Sequence, residues 1–149
     1  MRMPLALALL CVIVGCRVPT VALKLEDLMA HEAVVVKLAG DMGFTEGPVW
    51  LPKEQKLVFS DIPSAKLMEW SREGVAKIFR DSPNPNGNML DREGRLVTCR
   101  HGARDIVRTE SGGELTVLCD SFEGKRLNSP NDVAVKSDGT IWFTDPPWG

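Results

Sequence analysis

Three oxygen-bearing side chains stand shortly before apolar, strand-forming segments of this chain. They are Glu46, Asn86 and Asn131. One carboxylate together with amide oxygens is a set of hard ligands, which suits Ca²⁺ best and leaves Mg²⁺ or Zn²⁺ as alternatives. Asparagine is also a common turn residue, so the same pattern is open to a structural interpretation in which these residues make turns that lead into strands.

A threefold repeat predicts that the three side chains meet. Each copy has an apolar residue, a tight polar turn and a β-rich run, and the copies span residues 51–61, 90–100 and 135–145. Their starts lie 39 and then 45 residues apart. Periods of roughly 40–50 residues built from short strands are typical of β-propeller blades. Asn86 and Asn131 lie four residues before Leu90 and Val135, whereas Glu46 lies five residues before Leu51, one place off the equivalent position. Inner strands line the central channel of a propeller, so Glu46, Asn86 and Asn131 are predicted to line one cavity.

The fold class predicted from this repeat is all-β, with blades of four antiparallel strands. Turns such as Ser137-Asp138-Gly139 separate the strands. One further strand is predicted before the blades, at Ala33–Leu38. The blade strands are predicted near Val49–Leu51, Lys56–Ser60, Lys66–Trp70, Val75–Phe79, Asn88–Leu90, Arg95–Cys99, Asp105–Arg108, Leu115–Leu118, Asp132–Val135 and Thr140–Thr144.

This count gives about two and a half blades. A closed propeller typically needs 4–8 blades. An open stack exposes strand edges and apolar faces. The sequence therefore predicts either a truncated chain or one that associates with itself or with other chains through its open blade edges.

The first 22 residues predict export. Arg2 provides a positive charge, and Leu5–Gly15 is an uncharged apolar run that is short for a transmembrane helix. Cleavage after Ala22 and a lipobox ending at Cys16 are both consistent with the sequence. The protein is thus expected to be periplasmic, secreted or lipid-anchored, with a lipid on Cys16 as its one membrane attachment. Residues 23–43 form an N-terminal segment, and residues 44–149 form the partial propeller.

Composition excludes one class of partner. The formal net charge is −2 and no basic stripe is present, so nucleic acid is not an expected partner. Four cysteines occur, of which Cys99 and Cys119 lie in predicted strands. No CxxC spacing is present, and both residues are predicted to be buried free thiols.

Several motifs resemble the SMP-30/gluconolactonase family, in particular its bacterial gluconolactonase branch. The resemblance covers residues 44–149. It is carried by Phe44-Thr45-Glu46-Gly47-Pro48-Val49-Trp50, by Asp91-Arg92-Glu93-Gly94-Arg95-Leu96, by Arg100-His101-Gly102, by Lys125-Arg126-Leu127-Asn128-Ser129-Pro130-Asn131-Asp132-Val133 and by Phe143-Thr144-Asp145-Pro146-Pro147-Trp148-Gly149.

The resemblance implies a six-bladed propeller that hydrolyses a sugar lactone with a divalent metal in its central channel. It implies that Glu46 is a metal ligand and that Asn131 lines the metal and substrate site. A further asparagine and an aspartate belong to later blades in that family. This chain is therefore expected to carry the first half of the site.

Other residues have weaker signals. His101 is predicted either to act as a general base or to bind a sugar hydroxyl, with a surface loop residue as the structural alternative. Asn86 is expected to line the substrate channel. Arg126 and Asn128 are expected to contact a polyol substrate or to be solvated loop residues. By strand alternation, Asp132 is expected to point away from Asn131.

Two alternatives to a lactonase remain open. One is a non-catalytic propeller fragment or binding module. The other is a related propeller enzyme that resembles strictosidine synthases or arylesterases. Asp61 and Asp145 end equivalent strands and are predicted to hold a repeated structural turn.

Overall fold

The computed structural model describes Lys24, Asp27 and residues 29–148. The predicted export signal and Cys16 lie outside these residues. The chain divides into two units, Met1–Val36 and Lys37–Gly149, and the strands of the described residues belong to the second unit. Within the described part of the chain, no helix is long and apolar enough to cross a bilayer.

The prediction of a strand at Ala33–Leu38 was wrong. These residues have no regular secondary structure, and Val35 is 97% exposed. A β-branched run favours an extended backbone, but a strand is stable only when a neighbouring strand completes its hydrogen bonds.

Two four-stranded antiparallel sheets follow one another along the chain. Their strand orders are β1-β2-β3-β4 and β5-β6-β7-β8, so each strand pairs with its neighbour in sequence. We call these sheets blade 1 and blade 2. The strands of blade 1 are β1 (Thr45–Leu51), β2 (Lys56–Asp61), β3 (Lys66–Ser71) and β4 (Ala76–Asp81). The strands of blade 2 are β5 (Pro85–Leu90), β6 (Leu96–Arg100), β7 (Asp105–Thr109) and β8 (Leu115–Cys119).

The third repeat contains two strand pairs. The hairpin of β9 (Ser121–Phe122) and β10 (Lys125–Arg126) turns through Glu123 and Gly124, and the sequence did not predict it. The second pair, β11 (Val133–Val135) and β12 (Ile141–Phe143), is antiparallel and shorter than predicted. These observations confirm an all-β chain built from four-stranded antiparallel sheets.

Strand alternation in β6 explains how the sheets stack. Leu96 packs with Leu51, Val58 and Leu67 of blade 1. The next residue along β6 points to the opposite face and packs with the third repeat. That second core contains Val97, Cys99, Ile106 and Val133. Cys99 and Cys119 are free thiols, as predicted, but only Cys99 is buried and Cys119 is half-buried. Burial raises the pKa of the Cys99 thiol to about 12.

The innermost strands of both blades have a β-bulge at equivalent positions. The register shifts between Glu46 and Val49 in β1, and between Pro85 and Asn88 in β5. In each case two residues oppose one residue of the neighbouring strand, which bends the strand and redirects its side chains. The bulges fall where the sequence predicted the site residues.

Candidate functional site

A polar cleft of about 290 Å³ lies where β1, β5 and β11 begin. We call it the polar cleft. Its lining residues are Glu46, Gly47, Pro48, Asn86, Asn88, Asn131 and Asp132. The structure therefore brings together Glu46, Asn86 and Asn131, one from each repeat.

Glycines within the bulges allow the three inner strands to approach at the cleft. Gly47 has a φ of 54°, and a Cβ there would lie 2.2 Å from the carbonyl oxygen of Asn86. A Cβ on Gly87 would lie 2.6 Å from Cα of Asp132. Gly87 instead donates its backbone N–H to the carbonyl of Asn131, at 2.7 Å. These contacts fix the spacing between the side chains of successive repeats.

Asn88 lines the cleft, but its side chain belongs to a buried network. Its Nδ2 lies 3.0 Å from the carbonyl oxygen of Gly47 and 2.9 Å from Oγ of Ser60. Its Oδ1 accepts a hydrogen bond from Thr98 Oγ1, at 2.8 Å. Both ends of the amide make hydrogen bonds within the fold, so Asn88 joins blade 1 to blade 2, and its side chain is held by these bonds. No sequence motif predicted Asn88 as a residue of the site.

Asn86 is buried. Some of its polar atoms make hydrogen bonds within the fold, and one is left for the cleft. Its carbonyl oxygen accepts hydrogen bonds from Ser60 Oγ, at 2.6 Å, and from Asn88 Nδ2, at 2.9 Å. Its Nδ2 lies 2.9 Å from His101 Nε2. Within the described part of the chain, Oδ1 makes no hydrogen bond, and it is not sealed from solvent. One acceptor of Asn86 is therefore left for a ligand in the cleft.

Glu46 and Asn131 are also uncommitted. The backbone of Asn131 is fixed, because its N–H donates to Thr144 at 2.8 Å and its carbonyl accepts from Gly87. Among residues 29–148, neither the Asn131 amide nor the Glu46 carboxylate makes a hydrogen bond or ion pair. Three side chains with free oxygens thus face one cleft.

The donor chemistry of the cleft fits a divalent cation. One carboxylate and two amide oxygens are hard ligands of the kind that Ca²⁺ takes in sets of 6–8. The described residues contain no cluster of three His, Cys, Asp or Glu side chains, so a Zn²⁺ site of that kind is not formed by them. The metal roles of Glu46 and Asn131 stay predictions.

Asp132 lines the same cleft as Asn131, and it also lines a second pocket, with Val133 and Trp142, that Asn131 does not line. The direction expected for its side chain therefore stays a prediction. Its backbone N–H donates to Thr144 Oγ1 at 3.1 Å, and its Oδ1 accepts from the Val133 N–H at 2.9 Å.

Arg126 and Asn128 lie outside the cleft lining. Arg126 Nη2 donates to the carbonyl of Ala103 at 2.8 Å, and Asn128 Nδ2 donates to Asp145 Oδ2 at 3.2 Å. Their predicted roles in substrate binding stay predictions. Asp145 also accepts from the backbone N–H groups of Asn128 and Ser129, so it holds a turn, as predicted.

His101 stands behind the cleft. It does not line the cleft, and it contacts Asn86 through Nε2. Burial lowers the pKa of the His101 imidazole. The neutral ring that this favours has an unprotonated nitrogen, which can accept a hydrogen bond.

Comparisons with known proteins show the family of the chain. The family model described as SMP-30/Gluconolactonase/LRE-like region matches residues 44–148. A gluconolactonase of Zymomonas mobilis is 28% identical over 141 residues, which cover 85% of this chain and 40% of that protein.

Solved structures give the same result. A putative gluconolactonase has a TM-score of 0.71 at 42% identity, with coverage of 76% of this chain and 40% of that one. A gluconolactonase of Xanthomonas campestris has a TM-score of 0.71 at 41% identity, with coverage of 74% and 38%. Virginiamycin B lyase of Staphylococcus aureus shares the fold alone, with a TM-score of 0.55 at 14% identity and coverage of 68% and 34%.

The chain thus spans 40% of the length of the curated relative that it matches. The match nevertheless includes both bulged strands, the polar cleft and most of the described residues. The chain belongs to the SMP-30/gluconolactonase/LRE-like family.

Proposed function

We propose that this chain supplies the first part of the site of a divalent-metal-dependent hydrolase of sugar lactones, with gluconolactone as the model substrate. The observation that carries the proposal is the polar cleft, in which Glu46, Asn86 and Asn131 keep free oxygens in a chain of this family. Oxygens that the fold leaves without a hydrogen bond and that converge on one cleft are available to bind a ligand.

Each residue has a defined task in this proposal. Glu46 and Asn131 hold the cation through their side-chain oxygens. When bound, the cation draws electron density from the lactone carbonyl and lowers the pKa of a coordinated water. Asn86 accepts a hydrogen bond from a sugar hydroxyl through Oδ1. Water then adds to the carbonyl carbon, the ring C–O bond breaks, and the ring oxygen gains a proton, which yields the aldonic acid.

The remaining ligands are proposed to come from further blades, because this chain spans 40% of its curated relative. The side chains of Glu46 and Asn131 supply fewer oxygens than the 6–8 that Ca²⁺ usually takes. This leaves positions for water, for the lactone carbonyl and for ligands from outside residues 44–148.

Glu46→Gln in the native protein tests the proposal. The variant keeps the shape of the side chain and removes its charge, so metal content and metal-dependent lactone opening should both be lost. The measurements are bound Ca²⁺, Mg²⁺ and Zn²⁺ by elemental analysis and hydrolysis of gluconolactone before and after chelation. Glu73→Gln, at an exposed turn of blade 1, is the matched control. Unchanged metal content and activity in Glu46→Gln would contradict the assignment.

The choice of substrate and metal is tested on the same preparation. We expect aldonolactones to be hydrolysed faster than aryl esters, and Ca²⁺ to restore the chelated protein better than Mg²⁺ or Zn²⁺. Faster hydrolysis of aryl esters would favour an arylesterase-like enzyme instead.

A second candidate function, a non-catalytic binding or self-associating module, is favoured by exposed apolar side chains. Ile78 in β4 is 55% exposed and Trp142 in β12 is 66% exposed. Exposed apolar residues on open sheets favour association. Sedimentation of the chain over a range of concentrations distinguishes the candidates, since a monomer that hydrolyses lactone would exclude the second one.

Export is a separate proposal. We infer that the chain is periplasmic, secreted or lipid-anchored from residues 1–22, which lie outside the described structure. The mass of the mature N-terminus tests it. A start at Leu23 indicates ordinary cleavage, a start at Cys16 with added lipid indicates an anchor, and retention of Met1 contradicts export.

A further inference from the structure

His101 and Asn86 form one unit behind the polar cleft. Their side chains meet at 2.9 Å, between Nδ2 of Asn86 and Nε2 of His101. The Asn86 residue is buried and lines the cleft, whereas His101 does not line it. Any effect of His101 on a ligand in the cleft therefore acts through Asn86.

The hydrogen bonds of Asn86 leave it one free acceptor. The amide nitrogen faces His101, and the backbone carbonyl is held by Ser60 and Asn88. An amide carries its oxygen and nitrogen on opposite sides, so a nitrogen directed at His101 directs Oδ1 away from it. The ring nitrogen that receives Nδ2 must be unprotonated, which requires the tautomer with hydrogen on Nδ1.

We propose that His101 is a positioning residue, which fixes the Asn86 amide with Oδ1 directed into the cleft, and that it is not the general base of the site. The cleft then presents an acceptor to a hydroxyl group of the substrate. This inference rests on the proposed function only in its choice of a sugar hydroxyl as the donor.

The backbone around His101 is suited to hold the ring in place. The His101 N–H donates to the carbonyl of Asn84 at 2.9 Å, and the Gly102 N–H donates to Pro83 at 3.2 Å. A Cβ on Gly102 would lie 2.7 Å from Asn84 Oδ1. Burial lowers the pKa of His101, which favours the neutral ring, and only a neutral ring has a nitrogen that can accept a hydrogen bond from Nδ2 of Asn86.

Asn131 shows what the His101 contact adds. Asn131 lines the same cleft, but no described residue bonds to its amide, so its oxygen and nitrogen can exchange places by rotation. Asn86 lacks this freedom because only Nδ2 can donate to an unprotonated Nε2. The two asparagines therefore differ in how strictly they select a donor.

The first test is spectroscopic and is independent of any activity. Nitrogen-15 NMR of the histidine rings, at a pH well above the ordinary pKa of histidine, reports which ring nitrogen carries hydrogen. The chain has two histidines, so the exposed His31→Gln variant assigns the signals and serves as a control. We expect His101 to be protonated on Nδ1, and Asn86→Ala to shift the equilibrium toward the Nε2–H tautomer. A ring protonated on Nε2 in the unmodified protein would overturn the proposal.

The second test separates positioning from proton transfer. His101→Leu removes the acceptor for Nδ2, and His101→Gln replaces it with an amide oxygen. We expect the Leu variant to raise KM about tenfold, as for one lost hydrogen bond, with a smaller rise in the Gln variant and kcat nearly unchanged in both. A drop in kcat of about 10²–10⁴-fold in both variants would identify a general base and overturn the proposal.

The two proposals fail in different ways. If the unmodified protein does not hydrolyse lactones, the proposed function fails, while the histidine tautomer still decides whether His101 orients Asn86.

Discussion

The two ends of blades 1 and 2 have clefts of similar volume, but the carboxylate of Glu46 at one end is unpaired and the carboxylates at the other end form ion pairs. The polar cleft, of about 290 Å³, contains Glu46 without an ion-pair partner among the described residues. The cleft at the other end of the same strands, of about 330 Å³, contains Glu93, Arg95 and Glu110. We call the charged residues around this second cleft the Arg95 cluster.

Three carboxylates of the Arg95 cluster pair with the same guanidinium group. Arg95 lies 2.7 Å from Asp91, 3.0 Å from Glu93 and 3.3 Å from Glu110. Hydrogen bonds from Arg108 and Thr116, together with the charges of Arg108 and Arg95, lower the pKa of Glu110. Carboxylates that are already paired attract a further cation weakly, whereas the Glu46 charge is uncompensated. The comparison teaches that pairing, rather than the number of carboxylates, distinguishes the candidate site from a stabilising cluster.

Breaking the bulge at the polar cleft should have the largest effect. Gly47→Ala places a Cβ 2.2 Å from the Asn86 carbonyl oxygen at a φ of 54°, so backbone strain and overpacking add together. We expect a loss of about 3 kcal/mol or more in the free energy of unfolding. Gly74→Ala is the matched control, since its φ is 89° and nothing lies within 4 Å of the new Cβ. It should cost about 1 kcal/mol. Equal losses measured by denaturant unfolding would contradict the role given to Gly47.

Breaking the network beneath the cleft should come next. Asn88→Ala leaves Thr98 Oγ1 and the Gly47 carbonyl without a buried partner, and we expect a loss of about 2–3 kcal/mol in the free energy of unfolding. Asn86→Ala removes a side chain whose one described partner is His101, so it should cost less stability and more ligand affinity. The comparison fails if Asn86→Ala is the more destabilising of the two variants.

Exchanging one carboxylate at each end sharpens the comparison. Asp91→Asn removes a charge that pairs with Arg95 and should lower the thermal unfolding midpoint by a few degrees, with no change in metal content. Glu46→Gln should have the opposite pattern: it should lower the metal content without lowering the unfolding midpoint, because it removes an unpaired charge from the cleft. Calorimetry measures the unfolding midpoint of both variants, and elemental analysis measures their metal content. A loss of metal from Asp91→Asn would indicate that the ion binds at the Arg95 cluster and would contradict the assignment to the polar cleft.

Acid should have the smallest and most local effect. Burial tends to raise the pKa of Asp61, but hydrogen bonds from Ser64, Phe44 and Gly43 and the charge of Lys66 outweigh it, so the net shift is downward. A lowered folded pKa means that Asp61 adds stability above its ordinary value of 3.8. This stability is lost as the pH falls through the folded value. The Asp61→Asn variant should therefore show a weaker pH dependence of unfolding below pH 3.8, and an identical dependence would contradict this role.

The local pattern predicted most of the fold. Alternating apolar residues and polar turns placed ten strands close to their observed positions, because period-two alternation and turn chemistry are local properties. The same reasoning failed at Ala33–Leu38, where the residues favour an extended backbone and the structure has no strand. It also missed the short hairpin of β9 and β10, which has too few residues to show a period.

The candidate site was predicted in part. The repeat register placed Glu46, Asn86 and Asn131 in one cleft, since equivalent positions of successive blades converge. It did not predict that Asp132 also lines the cleft. Nor could it predict that the Asn88 amide is held by hydrogen bonds on both sides while Asn86 keeps a free Oδ1. That difference depends on Ser60, Thr98 and His101, which lie elsewhere in the sequence.

The sequence by itself determined the repeat, the strand order within each blade and the residue types that face the cleft, because short-range alternation and turn residues encode them. The tertiary structure alone decided which polar groups are free. Hydrogen bonds between strands distant in sequence occupy Asn88 and orient Asn86, and packing of the bulges through Gly47 and Gly87 sets their separation. A hydrogen bond depends on distance and direction between two groups, and neither quantity is present in the order of the residues.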